Sequence, residues 1–487
     1  MKRKWNTILK RYHQMPVAAK AGIWFIICSV IQKSFSLITT PIFTRLLTKE
    51  QYGEYNIYLT WLQVITIICT FRLDFGVFNK GMSKYKEDKD GYTITMQTTT
   101  TIITLIGLIV YLIFQNFINQ LTGLSTLVTI FIFMEILFLS AMNFWMLRQR
   151  YDFKYRGVVL AVVGMSFANL VIGLVAVLLM EEKGFARILS CIMVQVCFGF
   201  VFYIINMKKS KKIYIVEYIR FAFLFNLPLI PHYFSSYILE QSDRIMIQKM
   251  CGVQQVALYS VSYNIGMLAK IVVNSVNNAL IPWQYRKLEE KQYKVIDTNL
   301  IMLTTGMLII LILCIAFAPE LVYVMAGKEY MEAIYVVPPV TLSMFFVFIY
   351  GVFCNIEFFY DANKFTMVNS LVAAGINLGL NFIFIPIFGY VAAGYTTLVC
   401  YIFLTVTHFF YVNYVYRNTT EEKQIFSMAS LARLSVLIIV ITGIFLVLYK
   451  NAVIRYLFII VGLIGVVAKR KQIMNIIKLL IKKEGIQ

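Results

Sequence analysis

The sequence predicts an all-α integral membrane protein of about 14 transmembrane helices, two parallel six-helix lobes followed by two C-terminal helices. Three observations carry this. Of 487 residues, 60% are hydrophobic and only 14% charged, with a mean hydropathy of +0.74, whereas soluble domains carry roughly a quarter charged residues. Lys and Arg concentrate on alternate connections between apolar runs. Those basic connections also recur at a nearly constant interval along the two halves of the chain.

The apolar runs place spans at 20–40, 57–78, 93–114, 126–147, 157–180, 188–207, 221–240, 255–280, 298–318, 334–359, 365–385, 391–412, 428–448 and 454–468. Most of these are about 20 residues or longer, enough to cross a hydrocarbon core of about 30 Å. The remaining connections are too short for a folded soluble domain, which excludes a pump carrying its own nucleotide motor. Gly327-Lys328 is no phosphate loop, since Val322 stands where the first Gly is needed and Glu329 where Ser or Thr is needed. The basic segment Met1–Lys20 is read as the lead-in to the first span, because no small-x-small cleavage site follows Val30 and Gln32-Lys33-Ser34 interrupts the run.

The formal charge is +21, and its placement argues for loop bias rather than nucleic acid. With the N-terminus inside, cytoplasmic segments hold 31 of the 45 Lys and Arg, outer loops hold 8, and Lys20, Lys33, Arg72, Lys270, Arg433 and Arg455 fall within spans, Lys20 and Arg455 at their very ends. The positive-inside rule then puts both termini in the cytoplasm. Inner loops begin near 79, 148 and 208 and again near 284, 361 and 414, separations of 205, 213 and 206. Six spans per half, an even number, make the repeats parallel. The expected divisions are 1–212 (spans 1–6), 213–420 (spans 7–12) and 421–487, the last holding spans 13 and 14 and a basic amphipathic tail from Lys469 that would lie on the anionic inner leaflet.

A charge at the bilayer centre costs roughly 2.5–3.5 kcal/mol on insertion scales, so such residues face protein or water. Lys33 in span 1, Arg72 and Asp74 at the end of span 2, Arg244 at the end of span 7 and Lys270 in span 8 form the candidate substrate-binding set. If the halves face each other, four cations line one cavity, and a cationic cavity selects an anionic substrate. The alternatives are an Arg72–Asp74 pair at the cytoplasmic mouth and a snorkelling Lys33. Candidate gating or coupling residues are Arg45 and Asp243 at outer helix ends, Glu135 and Glu357 within spans 4 and 10, and Pro228 and Pro231. The two carboxylates would be proton-linked or simply hydrogen-bonded. Two prolines three apart remove two helix hydrogen bonds and bend or break span 7, as a hinge or as a static kink. His13, His232 and His408 offer no zinc set by spacing, so no metal is expected and His232 is read as a satisfied structural residue. Seven of the eight cysteines lie inside spans and read as packing residues rather than a disulfide framework. Asp88-Lys89-Asp90 has the Asp-x-Asp pattern of metal-dependent sugar-nucleotide transferases, but its loop is too short to fold a nucleotide site.

Five stretches carry a family likeness: Thr40-Pro41-Ile42-Phe43-Thr44-Arg45-Leu46-Leu47-Thr48-Lys49-Glu50-Gln51-Tyr52-Gly53; Phe71-Arg72-Leu73-Asp74-Phe75-Gly76; Pro228, Pro231 and His232 with Ser242-Asp243-Arg244; Asn278-Ala279 with Pro282-Trp283; and Asn377, Asn381, Ile385-Pro386, Gly389 and Ala392-Ala393-Gly394. In that order and spacing the chain resembles Wzx-type oligosaccharide flippases, the polysaccharide biosynthesis branch of the multidrug/oligosaccharidyl-lipid/polysaccharide exporter superfamily. The resemblance implies two six-helix lobes around a laterally open cavity, a bacterial cytoplasmic membrane location, and alternating-access transfer of an undecaprenyl-pyrophosphate-linked oligosaccharide from inner to outer leaflet for capsule or surface polysaccharide. It implies no enzymatic step and no cofactor beyond a coupling proton or sodium ion. The implied partners are the lipid-linked oligosaccharide, membrane lipids, and a polysaccharide polymerase with its assembly proteins. Similar flippases of cell-wall precursors carry more than one cation in span 1, where this chain has Lys33 alone. The competing readings are a cation-coupled drug exporter of the same superfamily, against which four cavity cations argue; a membrane polymerase or ligase, against which the short outer loops argue; and a scaffold, which leaves the charges in spans 1, 2, 7 and 8 unexplained.

Overall fold

The computed structural model describes residues 16–210, 213–419 and 425–468. His13 and the basic tail from Lys469 lie outside the described residues. Everything regular among the described residues is helical. In the first part of the chain, α1 (Val17–Leu46), α2 (Lys49–Thr70), α3 (Gly76–Lys84), α4 (Lys89–Ile113), α5 (Gln115–Thr122), α6 (Thr126–Tyr151), α7 (Tyr155–Leu179) and α8 (Lys183–Met207) lead to a broken segment made of α9 (Val216–Asn226), a 3-10 turn at Leu227–Leu229, and α10 (Ile230–Cys251). There follow α11 (Val253–Glu289), α12 (Tyr293–Ala316), α13 (Ala318–Ala326), a 3-10 stretch at Lys328–Tyr335, α14 (Val337–Phe359), α15 (Asn363–Phe388), α16 (Val391–Thr419), α17 (Met428–Leu448) and α18 (Ala452–Ala468).

Ten helices among the described residues are long and apolar enough to cross a membrane, and two shorter apolar helices lie at Lys20–Gln32 and Ala452–Gly462. The protein is therefore an all-helical multi-pass membrane protein with ten to twelve candidate spans. Of the fourteen expected spans, the second and seventh form as helices but are not apolar enough by composition. The second, α2, opens on Lys49, Glu50 and Glu54; the seventh carries Glu240, Asp243, Arg244 and Lys249 in α10. Large apolar side chains stand exposed, among them Leu160 at 77% and Leu179 at 80%. Such surface is suited to lipid, since helices satisfy most of their backbone groups internally.

Helix ends follow local chemistry. Thr48 caps α2 in a reciprocal box, its hydroxyl accepting from the Gln51 N–H at 3.2 Å while the Gln51 side chain accepts from the Thr48 N–H at 3.1 Å. Ser125 caps α6, and Gly123 (φ +71°) takes the left-handed turn that ends α5. The expected end of span 2 at residue 78 is corrected. The helix stops at Thr70, because Phe71 and Arg72 adopt φ +46° and +51°, and the apolar residues beyond belong to α3.

The chain divides into two compact units, Met1–Ala257 and Leu258–Gln487. In the first, α6 packs on α8 and α4, α8 on α7, and α7 on α1, while α9 and α10 pack on α3, α4 and α2. In the second, α14 is the most enclosed helix, packed by α16, α12 and α17, with α15 against α16.

Candidate substrate and gating residues

The turn after α2 is the most constrained point of the first unit. Two successive side-chain-bearing residues in the left-handed region are strained, by about 1–3 kcal/mol each, and need surroundings that hold them there. Asn226, at the end of α9 and 1% exposed, donates its Nδ2 to the Phe71 carbonyl, and the Phe71 and Phe223 rings pack at 5.5 Å. The half-buried Arg72 guanidinium then lies over the rings of Phe75 (4.8 Å) and Tyr233 (5.8 Å), the second of these just past Pro231. Arg72 thus bridges the turn and the broken seventh segment. Asp74 faces elsewhere, accepting from Asn143 Nδ2 of α6 at 3.3 Å, with its other oxygen buried and unpartnered. No ion pair among the described residues joins Arg72 to Asp74. Asn226→Leu removes the donor and leaves a strained turn, so we expect a stability loss of about 1–3 kcal/mol and faster proteolysis at residues 71–75, read by thermal unfolding and limited digestion. Unchanged digestion would remove Asn226 from this role.

Pro228 sits in the 3-10 turn and Pro231 at the second position of α10, both exposed. The helix breaks there because each proline lacks an N–H and its ring blocks the preceding turn. His232 departs from the satisfied residue expected, since its buried Nδ1 has no partner. Farther along α10, the Tyr237 hydroxyl donates to the Thr60 carbonyl at 2.6 Å, Gln248 to that of Thr122 at 3.2 Å and Lys249 to that of Gln120 at 2.6 Å. These bonds tie the segment to α2 and to the end of α5. Arg244, 6% exposed, folds onto its own helix through Gln241 Oε1 at 2.7 Å and the Glu240 carbonyl, beside the fully buried Asp243. Arg45 is exposed and bonds the Pro41 carbonyl at 2.8 Å. Lys33 lies in α1, with its side chain outside the described ones.

Glu135 of α6 is fully buried and accepts from the Tyr58 hydroxyl at 2.5 Å. Close by is a residue that the sequence reading assigned to a loop: Arg187, 3% exposed, donating to Tyr55 Oη and Asn169 Oδ1 at 2.9 Å each and lying over the Phe43 ring at 4.1 Å. It was missed because span 6 was begun at residue 188, whereas α8 starts at Lys183 and carries Arg187 inside. The available signal was Phe185-Ala186 ahead of Arg187, which extends the apolar run of span 6 toward Gly184.

In the second unit Lys270 is half-buried on α11. Fully buried Glu357 of α14 contacts His408 Nδ1 of α16 at 2.7 Å and accepts from Thr366 of α15 at 2.8 Å. Asn377 and Asn381 of α15 form a buried network with Thr396 and Thr397 of α16.

The Asp-x-Asp stretch is occupied structurally. Asp88 caps α4, accepting from the Gly91 N–H at 3.0 Å and from Tyr218 Oη at 3.1 Å, while Asp90 pairs with Arg148 at 3.3 Å and Arg148 also pairs with Asp152. Asp88, Asp90 and Arg148 line a 330 Å³ polar cavity with Lys86, Lys89 and Lys209. Burial holds the Lys209 ammonium below the usual lysine range, with Asp90 opposing. Arg148→Met should cost about 1 kcal/mol, discounted for partial exposure, as a lowered unfolding temperature; an unchanged one would mean the pairs contribute nothing.

A family model described as "Polysaccharide biosynthesis protein" matches residues 18–288, more than half of the chain. The chain is 22% identical over 352 residues, 71% of its length and 86% of the relative's, to "Lsg locus putative protein 1" of Haemophilus influenzae. Its fold is similar to that of "Lipid II flippase MurJ, inward closed conformation" (TM-score 0.68, 13% identity, 93% of this chain and 100% of that one). It is also similar to an inward-facing multidrug resistance MATE family transporter of the MOP superfamily (TM-score 0.63, 13% identity, 82% of this chain and 100% of that one).

Proposed function

The chain belongs to the polysaccharide biosynthesis protein family, and from that premise we propose that it moves a lipid-pyrophosphate-linked oligosaccharide from the inner to the outer leaflet by alternating access. The cargo would be the undecaprenyl-linked repeat unit of a capsule or other surface polysaccharide. The observation that carries this reading is Arg72, a cation on a strained turn at the end of α2, stacked on two rings and joined in no ion pair among the described residues, with Asp74 acting on it only at longer range. A guanidinium so held is matched to a phosphate oxygen pair. In the same proposal Lys33, Arg244 and Lys270 complete the cationic set, and Asp74, held by Asn143, adds a nearby negative charge to it. The finer architecture we read is fourteen spans in lobes 1–212 and 213–420 with a terminal pair after 421, both termini cytoplasmic in a bacterial inner membrane.

Pro228 and Pro231 act as the hinge, and Arg45 with Asp243 as outer-end gating residues. Glu357 gates by holding α14, α15 and α16 together. Glu135 is the coupling group for a proton or sodium ion, so Glu135→Gln should make transport indifferent to pH and ion gradients; wild-type transport already indifferent to both would remove coupling. The polymerase of the same polysaccharide and its assembly proteins are the proposed partners.

The test is leaflet accessibility of a lipid-pyrophosphate-linked saccharide in vesicles containing the purified protein. Saccharide should reach the far leaflet only where protein is present. No movement by folded protein, together with export of a cationic dye, would replace this reading with a drug exporter.

A further inference from the structure

Among the described residues, one buried group of side chains brings together a sulfur, a nitrogen and an oxygen donor at the spacing of a metal site. Cys354 and Glu357 lie three apart on α14 and so share a face; His408 reaches them from the facing helix α16. The ligand atoms of all three lie within 4.8 Å of one another. Glu357 and His408 are fully buried and Cys354 is 5% exposed. His408 Nδ1 is the common point, 3.7 Å from Cys354 Sγ and 2.7 Å from Glu357 Oε1.

We propose that Cys354, Glu357 and His408 form a binding site for one soft-to-borderline divalent cation of the zinc type, a clip between α14 and α16. The sulfur-to-nitrogen separation fits a tetrahedral centre, where bonds of about 2.3 and 2.0 Å place S and N roughly 3.5 Å apart. The carboxylate-to-imidazole separation must open by about 0.5 Å for the ion to enter, a side-chain rotation rather than a helix movement. Charge favours the occupied state. A thiolate, a carboxylate and a neutral imidazole around a divalent ion sum to zero, the least costly ionic arrangement in a dry interior. A mixed S, N, O set selects zinc-like ions over sodium, magnesium or calcium, which take oxygen ligands.

The surroundings supply outer-shell support. Thr366 of α15 donates to the other Glu357 oxygen at 2.8 Å, the kind of outer hydroxyl that orients a metal ligand, and Tyr350 stands one turn before Cys354 on α14. With Nδ1 on the metal, the proton resides on Nε2, which is buried without a hydrogen-bond partner while the rings of Tyr350 and Phe365 flank the imidazole at 5.2 and 5.3 Å. The fourth position is left to a water or to Thr366. Ligands 51 and 54 residues apart on different helices give no spacing motif, which is why sequence spacing did not reveal them.

The test uses the full chain, expressed in zinc- or cobalt-supplemented medium and purified without chelator, so that a buried site is loaded during folding. We expect about one zinc per chain by elemental analysis, falling to under about a tenth in Cys354→Ser and in His408→Gln, and a thiolate-to-cobalt charge-transfer band that Cys354→Ser abolishes. Folded wild type holding no more metal than Cys354→Ser, or a cobalt spectrum without the thiolate band, overturns the proposal. If the variants fail to fold, the metal content and cobalt spectrum of the wild type decide it alone. Neither readout involves transport, so the site stands or falls separately from the proposed function.

Discussion

Arg72→Gln is expected to lower the initial rate of saccharide transfer in reconstituted vesicles by about 10- to 150-fold, the equivalent of one charge-assisted hydrogen bond worth about 1.5–3 kcal/mol. The fold should survive, because the described contacts of the guanidinium are the two ring faces, each worth about 0.5–1 kcal/mol. Arg72→Lys separates charge from geometry. It keeps a point charge but loses the planar fork and the stacking, so an intermediate rate is expected. Neutralising Lys33, Arg72, Arg244 and Lys270 together should abolish transfer while leaving a monodisperse, folded protein. A rate equal to wild type in Arg72→Gln would sink the phosphate-binding role, and would leave the residue as a strut between the α2–α3 turn and α10.

The second large effect is steric. At Gly53, an added Cβ would collide with the Val253 carbonyl oxygen and lie 2.7 Å from Val253 Cγ1. Backbone cannot withdraw as a flexible side chain can. Gly53→Val should therefore destabilise the first unit by about 3 kcal/mol, the upper end for overpacking, and reduce both unfolding temperature and transport. Gly375→Ala is the control, since nothing stands within 4 Å of the position its Cβ would take; no loss is expected there. Equal melting of Gly53→Val and wild type in detergent would mean that α2 and the α10–α11 junction do not approach so closely in the membrane.

The sequence alone was enough for the class of this protein. Composition and about 20-residue apolar windows sufficed for the long spans, because burying a helix in lipid depends on the summed hydropathy of one contiguous segment. The break at Pro228 and Pro231 was equally legible, since a missing N–H and a ring clash act within one turn. The family likeness rested on short ordered motifs and agrees with the family match over residues 18–288.

Partnership was decided only by the tertiary structure. Arg72 and Asp74 are two residues apart and invite pairing, yet the left-handed turn at Phe71 and Arg72 sends one to Phe75 and Tyr233 and the other to Asn143. Nothing in the local text gives phenylalanine a positive φ; Asn226, 155 residues away, supports it. The same holds for Arg187 against Tyr55 and Asn169, and for His408 against Cys354 and Glu357. Hydropathy and propensity are sums over neighbours in the chain, whereas a side-chain contact depends on how each helix is rotated about its axis and on which helix lies against it, and those are set by packing the whole unit at once.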